Sequence, residues 1–387
     1  MWRNIASNAL NMFIVALVLL SGLLTMGRQM YQAPGPLSQA VCFTVDKGAT
    51  LSAVSQSLLQ QGAISDARVF RIGANYSGQS TKLKFGSYLV DAGSSMQSVV
   101  ALLTGGGAST CGEEVNFVIG VTAAQVVLQK LDPATNKYVE VVKFDPAKDP
   151  APAAYKDAAS TADLRWRVTL AEGVTSYNVV EALKHADFLS GEIATVPLEG
   201  TLAPESYDVV KGSDRATLLA QMEARQTRTL SDLWATRAEG LPYKTPQEAL
   251  IMASIVEKET GVPAERKVVA SVFLNRLAQG IKLQTDPTVI YGVTKGQGIL
   301  GRGLRQSELR RETPWNTYVI AGLPATPIAN PGRLSIEAAL NPDSTDYLFF
   351  VADGTGGHAF AATLDEHNRN VAKWRAIEAA APDTSGG

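Results

Sequence analysis

The chain has 387 residues, a formal net charge of -2 and 45% hydrophobic residues. That length supports two or three domains with a substantial core. The near-neutral balance, with no stripe rich in Lys and Arg, gives no support to a nucleic-acid partner.

Residues 4–27 contain no charged side chain, and residues 9–26 are dominated by Leu, Val, Ile, Met and Phe. Roughly 18 to 24 such residues can cross a hydrocarbon core of about 30 Å as a helix. A cleaved signal peptide is the competing reading. Arg3 would be its only basic side chain, and Ser21-Gly22-Leu23 is a weak cleavage site, so residues 1–31 are expected to be a short stub and a retained transmembrane helix. Arg3 and Arg28 flank the segment evenly and leave its orientation open. No second span follows, so the remainder is expected on one side of the membrane.

A linker covers residues 32–40. Residues 41–106 then form a compact pattern: a strand at Phe43-Thr44-Val45, a helix with Leu51, Val54, Leu58 and Leu59 at helical spacing, a second helix over 67–74, a strand over 83–89 and a helix over 95–103. Residues 107–165 hold Asp132-Pro133, Asp145-Pro146 and Asp149-Pro150 and read as a partly ordered insertion, with a helix over 121–131 and a strand over 138–144. Regular periodicity returns in residues 166–380, the largest expected domain. It comprises a strand at 168–170, helices at 177–185, 215–239 and 264–279, then helices at 336–340 and 365–377 around a strand at 347–352. Residues 381–387 are expected to be a disordered tail. The fold class expected is α+β.

The two cysteines, Cys42 and Cys111, both lie beyond the apolar segment. In an oxidising compartment they could close a loop of about 70 residues, worth up to roughly 4 kcal/mol in the loop-entropy model. Two free buried thiols are the alternative. No Cys-x-x-Cys pair or zinc-spaced His/Cys cluster occurs, and His185, His358 and His367 are scattered.

The segment Ala253-Ser254-Ile255-Val256-Glu257-Lys258-Glu259-Thr260 sets two carboxylates on an apolar helix. Positions two apart on a helix point to nearly opposite sides. Ile251, Met252, Ile255 and Val256 define one face, and Glu259 projects from its centre, whereas Glu257 falls beside Ala253 and Ser254. A carboxylate among apolar neighbours resists ionisation and suits a general acid near neutral pH. Asp286, in Gln284-Thr285-Asp286-Pro287, sits in an expected loop. It reads as a second carboxylate, a hydrogen-bonding group or a turn cap. A serine or cysteine hydrolase is disfavoured, since no Gly-x-Ser-x-Gly elbow occurs.

Ordered motifs extend from that helix: Val272-Phe273-Leu274-Asn275-Arg276-Leu277, Leu283-Gln284-Thr285-Asp286-Pro287-Thr288-Val289-Ile290-Tyr291-Gly292, Asn316-Thr317-Tyr318, Gly322-Leu323-Pro324, Tyr347-Leu348-Phe349-Phe350-Val351-Ala352-Asp353-Gly354 and Gly357-His358-Ala359-Phe360. Together they resemble the YceG-like family of endolytic lytic transglycosylases, which cut bacterial peptidoglycan. The resemblance is close over residues 168–374 and looser over 41–106.

This resemblance implies a single-pass inner-membrane protein with a periplasmic catalytic body. It makes Glu259 the catalytic residue, the same one that the helical face selects. Residues 41–106 then look like a small LysM-like module, with Gly86-Ser87-Tyr88 as its signature. Such an enzyme cleaves between N-acetylmuramic acid and N-acetylglucosamine, leaves a 1,6-anhydro end, and needs no metal or organic cofactor. Its expected partners are glycan strands, the inner membrane and the cell-wall synthases that extend those strands. Gln284, Asp286, Asn316, Tyr318 and His358 could hold the sugar chain, with Tyr291 as a platform. Turn caps, core hydrogen bonds and packing aromatics are the alternatives for these six. Glu257 is expected to pair with a nearby cation. The chain departs from the family pattern in the length of residues 108–164, in Trp315 where a Tyr is usual, and in Glu205 where an Asp is usual.

Overall fold

The computed structural model describes residues 2–106 and 109–380. The expected tail at 381–387 lies outside the described residues. Two compact units emerge: one comprises residues up to 116 with 127–143 and 151–166, the other residues 117–126, 144–150 and 167 onward.

The first unit opens with α1 (Trp2–Gln32), whose stretch Leu10–Gln32 is long and apolar enough to cross a membrane and has residues 10–26 exposed. Next come β1 (Val41–Val45), α2 (Leu51–Gln60), α3 (Ala67–Tyr76), β2 (Gly86–Val90) and α4 (Met96–Thr104). Each of these three helices starts on a side-chain cap: Thr50 accepts from the Ala53 amide, Asp66 from Arg68 and Val69, and Ser95 from Ser98. β1 and β2 pair antiparallel, Phe43 opposite Tyr88. Phe43, Leu58, Ile64, Phe70, Val90 and Leu103 fill the core between them. Cys42 and Cys111 are joined in a disulfide, with their Cα atoms 5.8 Å apart.

Beyond α4 lie β3 (Glu113–Ile119), β4 (Ala124–Asp132), β5 (Lys137–Phe144), α5 (Ala153–Ala158), β6 (Arg165–Leu170), α6 (Ser176–Lys184) and β7 (Ser206–Val209), with a five-stranded sheet in the order β5-β4-β3-β6-β7. The stretch expected as a partly ordered insertion therefore contains three strands and a helix. The helix expected over 121–131 is instead the strand β4. Val126 and Leu128 alternate into the interior, and Gln129 donates to Glu114 of β3 at 2.8 Å. The Asp-Pro signal marks a hairpin turn: Asp132 accepts from the Ala134 amide and the Thr135 hydroxyl, and Asn136 takes a left-handed φ of 51°.

The second unit is built around α8. Besides α6, its helices are α7 (Arg215–Ala235), α8 (Pro246–Glu259), α9 (Arg266–Ala278), α10 (Asp286–Thr294), α11 (Gln306–Arg310), α12 (Arg333–Leu340) and α13 (Leu364–Ala380), with the hairpin β8 (Phe349–Ala352) and β9 (His358–Ala361) near the end. Thr245 caps α8 and Pro246 occupies its first turn, as a proline can where the backbone donors have no helical partner. α8 packs against α7, α9, α10 and α12. Ala249, Met252, Ala253, Ile255 and Val256 are consequently all buried, so the core surrounds the helix rather than touching one face.

Candidate active site

α8 ends at Glu259, and Thr260 leaves the helix in an extended conformation. The two carboxylates of this last turn meet opposite environments. Glu257 accepts from the Gly332 amide at 3.0 Å and the Ser335 hydroxyl at 2.7 Å, and lies 3.8 Å from the buried guanidinium of Arg266. Its side chain is only 6% exposed, so the small-residue side of α8 is as closed as the large one. The cation expected to pair with it is Arg266.

Glu259 accepts a hydrogen bond at Oε1 from the Thr285 hydroxyl. Burial pushes its carboxyl above the usual carboxylate range; the Thr285 bond works against that rise, the Asp286 charge adds to it, and His358 opposes it. Thr285 is itself buried and held by a cluster of hydroxyls. Its amide donates to Thr317 Oγ1 at 3.1 Å, Thr288 Oγ1 donates to its carbonyl at 2.7 Å, and Thr288 and Thr317 meet at 2.8 Å. The turn that delivers Thr285 passes through Gln284 at φ 53°, a left-handed conformation uncommon for a side chain with a Cβ.

Asp286 is the first residue of α10, not a loop or cap residue, and Pro287 follows it in the first turn. Its Oδ1 accepts from the Tyr318 hydroxyl at 2.6 Å. Burial and the Asp286 carboxylate both push the Tyr318 phenol up, so it stays a donor.

Glu259, Gln284, Thr285, Asp286 and Tyr318 are among the residues lining a cavity of about 350 Å³. The other lining residues include Arg276, Phe349, Phe350 and His367. Arg276 is braced by the carbonyls of Leu348 at 2.8 Å and Leu283 at 2.6 Å and lies over the Phe349 ring. His367 stacks on the other aromatic flank of the site, 5.1 Å from Phe349, and burial lowers its imidazole from the ordinary value. Motif spelling alone held Thr285, Arg276 and Phe349 in view; only the packing gives them a role.

Three residues expected to touch sugar are placed elsewhere. Asn316 is 1% exposed, and its amide donates to the carbonyls of Glu308, Leu309 and Arg311 while its Oδ1 accepts from the Tyr318 amide. It fixes the loop that carries Tyr318. Tyr291 donates to Glu199 at 3.1 Å and packs 5.8 Å from Trp315, whose indole donates to Thr326. His358 donates its amide to Glu265 and sets Nδ1 2.8 Å from the same carboxylate, edge-on to Phe350. The unusual Glu205 pairs with Arg225, away from the cavity lining.

Among the described residues, no group of three or more His, Cys, Asp or Glu side chains could hold a metal ion. The arrangement is a single desolvated acid, hydrogen-bonded from one side and open to a polar cavity on the other, which suits proton donation followed by proton recovery.

The chain is 28% identical over 335 residues to an endolytic murein transglycosylase of Bacillus subtilis (strain 168), spanning 86% of this chain and 84% of that protein. It is 28% identical over 341 residues to an endolytic murein transglycosylase of Streptococcus pneumoniae serotype 2 (strain D39), spanning 85% of this chain and 57% of that protein. A solved structure of a YceG-like protein from Listeria monocytogenes covers 86% of this chain and 98% of its own, at 23% identity and a TM-score of 0.46. The model of the YceG-like family matches residues 43–373, most of the chain, which therefore belongs to that family.

Proposed function

We propose that this protein is a lytic transglycosylase that cuts peptidoglycan glycan strands internally, with Glu259 as its only proton-transfer residue. The observation that carries the proposal is the desolvated Glu259 carboxyl at the wall of a sugar-sized cavity in a chain of the YceG-like family. The names of the relatives from Bacillus subtilis and Streptococcus pneumoniae supply the substrate class.

Protonated Glu259 donates to the glycosidic oxygen joining N-acetylmuramic acid to N-acetylglucosamine. The C1–O bond breaks with its electron pair on the leaving sugar. The carboxylate, now ionised, takes the proton from the muramic C6 hydroxyl as that oxygen bonds to C1. A 1,6-anhydro end forms, no water is consumed, and Glu259 is left protonated for the next cut. Thr285 holds the carboxyl in one rotamer. Asp286, raising the cost of a second negative charge beside it, favours the protonated form.

A lysozyme-like hydrolase, with Asp286 assisting an attacking water, is the second reading, since Asp286 lines the same cavity. Tyr318 already occupies one oxygen of that carboxylate, which favours a supporting role. Mass spectrometry of products from uncrosslinked glycan separates the two: an anhydro end supports transglycosylation, and an end heavier by one water supports hydrolysis.

The apolar α1 supports a membrane anchor, and the proposal places that anchor in the bacterial inner membrane with the body in the periplasm. Residues 41–106 are proposed to act as a LysM-like glycan-binding module. Synthases that extend the same strands are the proposed protein partners.

A further inference from the structure

α3 carries a stripe that its own unit leaves uncovered. Arg68, Ile72 and Tyr76 follow at four-residue spacing and so share one face of the helix. All three are exposed, Ile72 at 67% and Tyr76 at 96%. The remainder of α3 is used normally: Ala67, Phe70 and Ala74 are buried, the last two in the core with β1, α2 and α4. A cation, an aliphatic side chain and an aromatic along one helix face is the composition found at a membrane–water interface.

The position of α3 relative to α1 gives that face an occupant. The Tyr31 ring lies against Gly73 so closely that a Cβ there would overlap it, and Tyr31 packs on the core of the unit. Gly73 lies beside that stripe, one residue after Ile72 and three before Tyr76. Along α1 the apolar block closes at Met26 and Arg28 follows. Tyr31 lies five residues beyond Met26, a rise of about 7.5 Å at 1.5 Å per residue. The headgroup layer extends about 5–7 Å beyond the hydrocarbon core on each side. The close Tyr31–Gly73 contact therefore holds α3 at the outer edge of the headgroup layer.

We propose that the Arg68/Ile72/Tyr76 face of α3 rests on the bilayer that α1 crosses. Ile72 and Tyr76 enter the acyl boundary, and Arg68, together with the exposed Arg28, meets anionic lipid phosphates. The first unit is then docked on the membrane surface rather than tethered above it. This inference rests on the reading of α1 as a membrane anchor.

The test uses the full chain in vesicles of phosphatidylethanolamine and phosphatidylglycerol, with a photoreactive benzophenone side chain replacing Phe13, Ile72 or Tyr76 in separate variants. Phe13 lies in α1 and reports the anchor alone. The expected result is a lipid adduct at position 13 and adducts at 72 and 76 within about three-fold of its yield. Arg68→Glu should lower the yield at 76 by about two-fold or more. An adduct at 13 with none at 72 or 76, or adducts at 76 to a second copy of the chain, would overturn the docking and leave the anchor standing. No lipid adduct at 13 would remove the anchor and the docking together.

Discussion

The Thr285 hydroxyl donates to Oε1 of Glu259 across the gap between the start of α10 and the end of α8. Among the described residues it is the one direct side-chain bond to the proposed acid, and it opposes the rise that burial imposes on the carboxyl. Glu259 must be protonated to donate, so activity is expected below its raised value and lost as pH rises through it. The alkaline limb of kcat/KM should therefore lie above the ordinary glutamate range.

Thr285→Val removes a bond that lowers the Glu259 value, so the alkaline limb should move to higher pH. The unheld carboxyl should also cost about ten-fold in kcat. Thr285→Ser keeps the hydroxyl and should stay close to wild type in both respects. A pH profile of anhydro-product release for both variants checks this; an unmoved limb in Thr285→Val would deny the bond any influence on the acid.

Asp286→Asn should move the same limb the other way. The Asp286 charge helps keep Glu259 protonated, and without it the carboxyl ionises at lower pH. Product release should persist, reduced by about ten-fold or less, if Asp286 is a supporting group. Loss of all product, or a switch in product mass, would instead mark Asp286 as a reacting carboxylate.

The helical period distinguished Glu259 from Glu257 because two side chains two residues apart diverge by about 200°. It did not foresee that both sides of α8 would be closed. Ser335 and the Gly332 amide of the α12 start, with Arg266 of α9, complete the second wall, and these come from distant parts of the chain. Asn316 and Tyr291, expected as sugar contacts, lie outside the residues that line the cavity for a similar reason. A polar side chain in a motif is equally suited to holding a loop, and only its hydrogen-bond partners decide. The helix expected over 121–131 became β4 because pairing with neighbouring strands outweighed a mixed apolar pattern of helical length. α2 was legible because Leu51, Val54, Leu58 and Leu59 fall at helical spacing, a pattern that is local to the segment.

Glu257→Gln should leave the chemistry largely intact and weaken the fold. It strips Arg266 of one of its two carboxylate partners; the other, Glu172, lies 3.3 Å away and is more exposed. A buried cation left short of a partner costs about 2–4 kcal/mol, discounted here by the hydrogen bonds that Gln keeps to Ser335 and Gly332. The apparent unfolding midpoint should fall by several degrees while specific activity stays within about three-fold. An unshifted midpoint with abolished activity would transfer the acid role to Glu257.

The most direct measurement is product analysis for Glu259→Gln, a variant that keeps size and hydrogen bonding but cannot donate or recover the proton. Incubated with uncrosslinked glycan strands, the folded variant should release no 1,6-anhydro muropeptides above background, while the wild type releases them from internal cuts. Anhydro products from the Glu259→Gln protein at near wild-type rate would contradict the account.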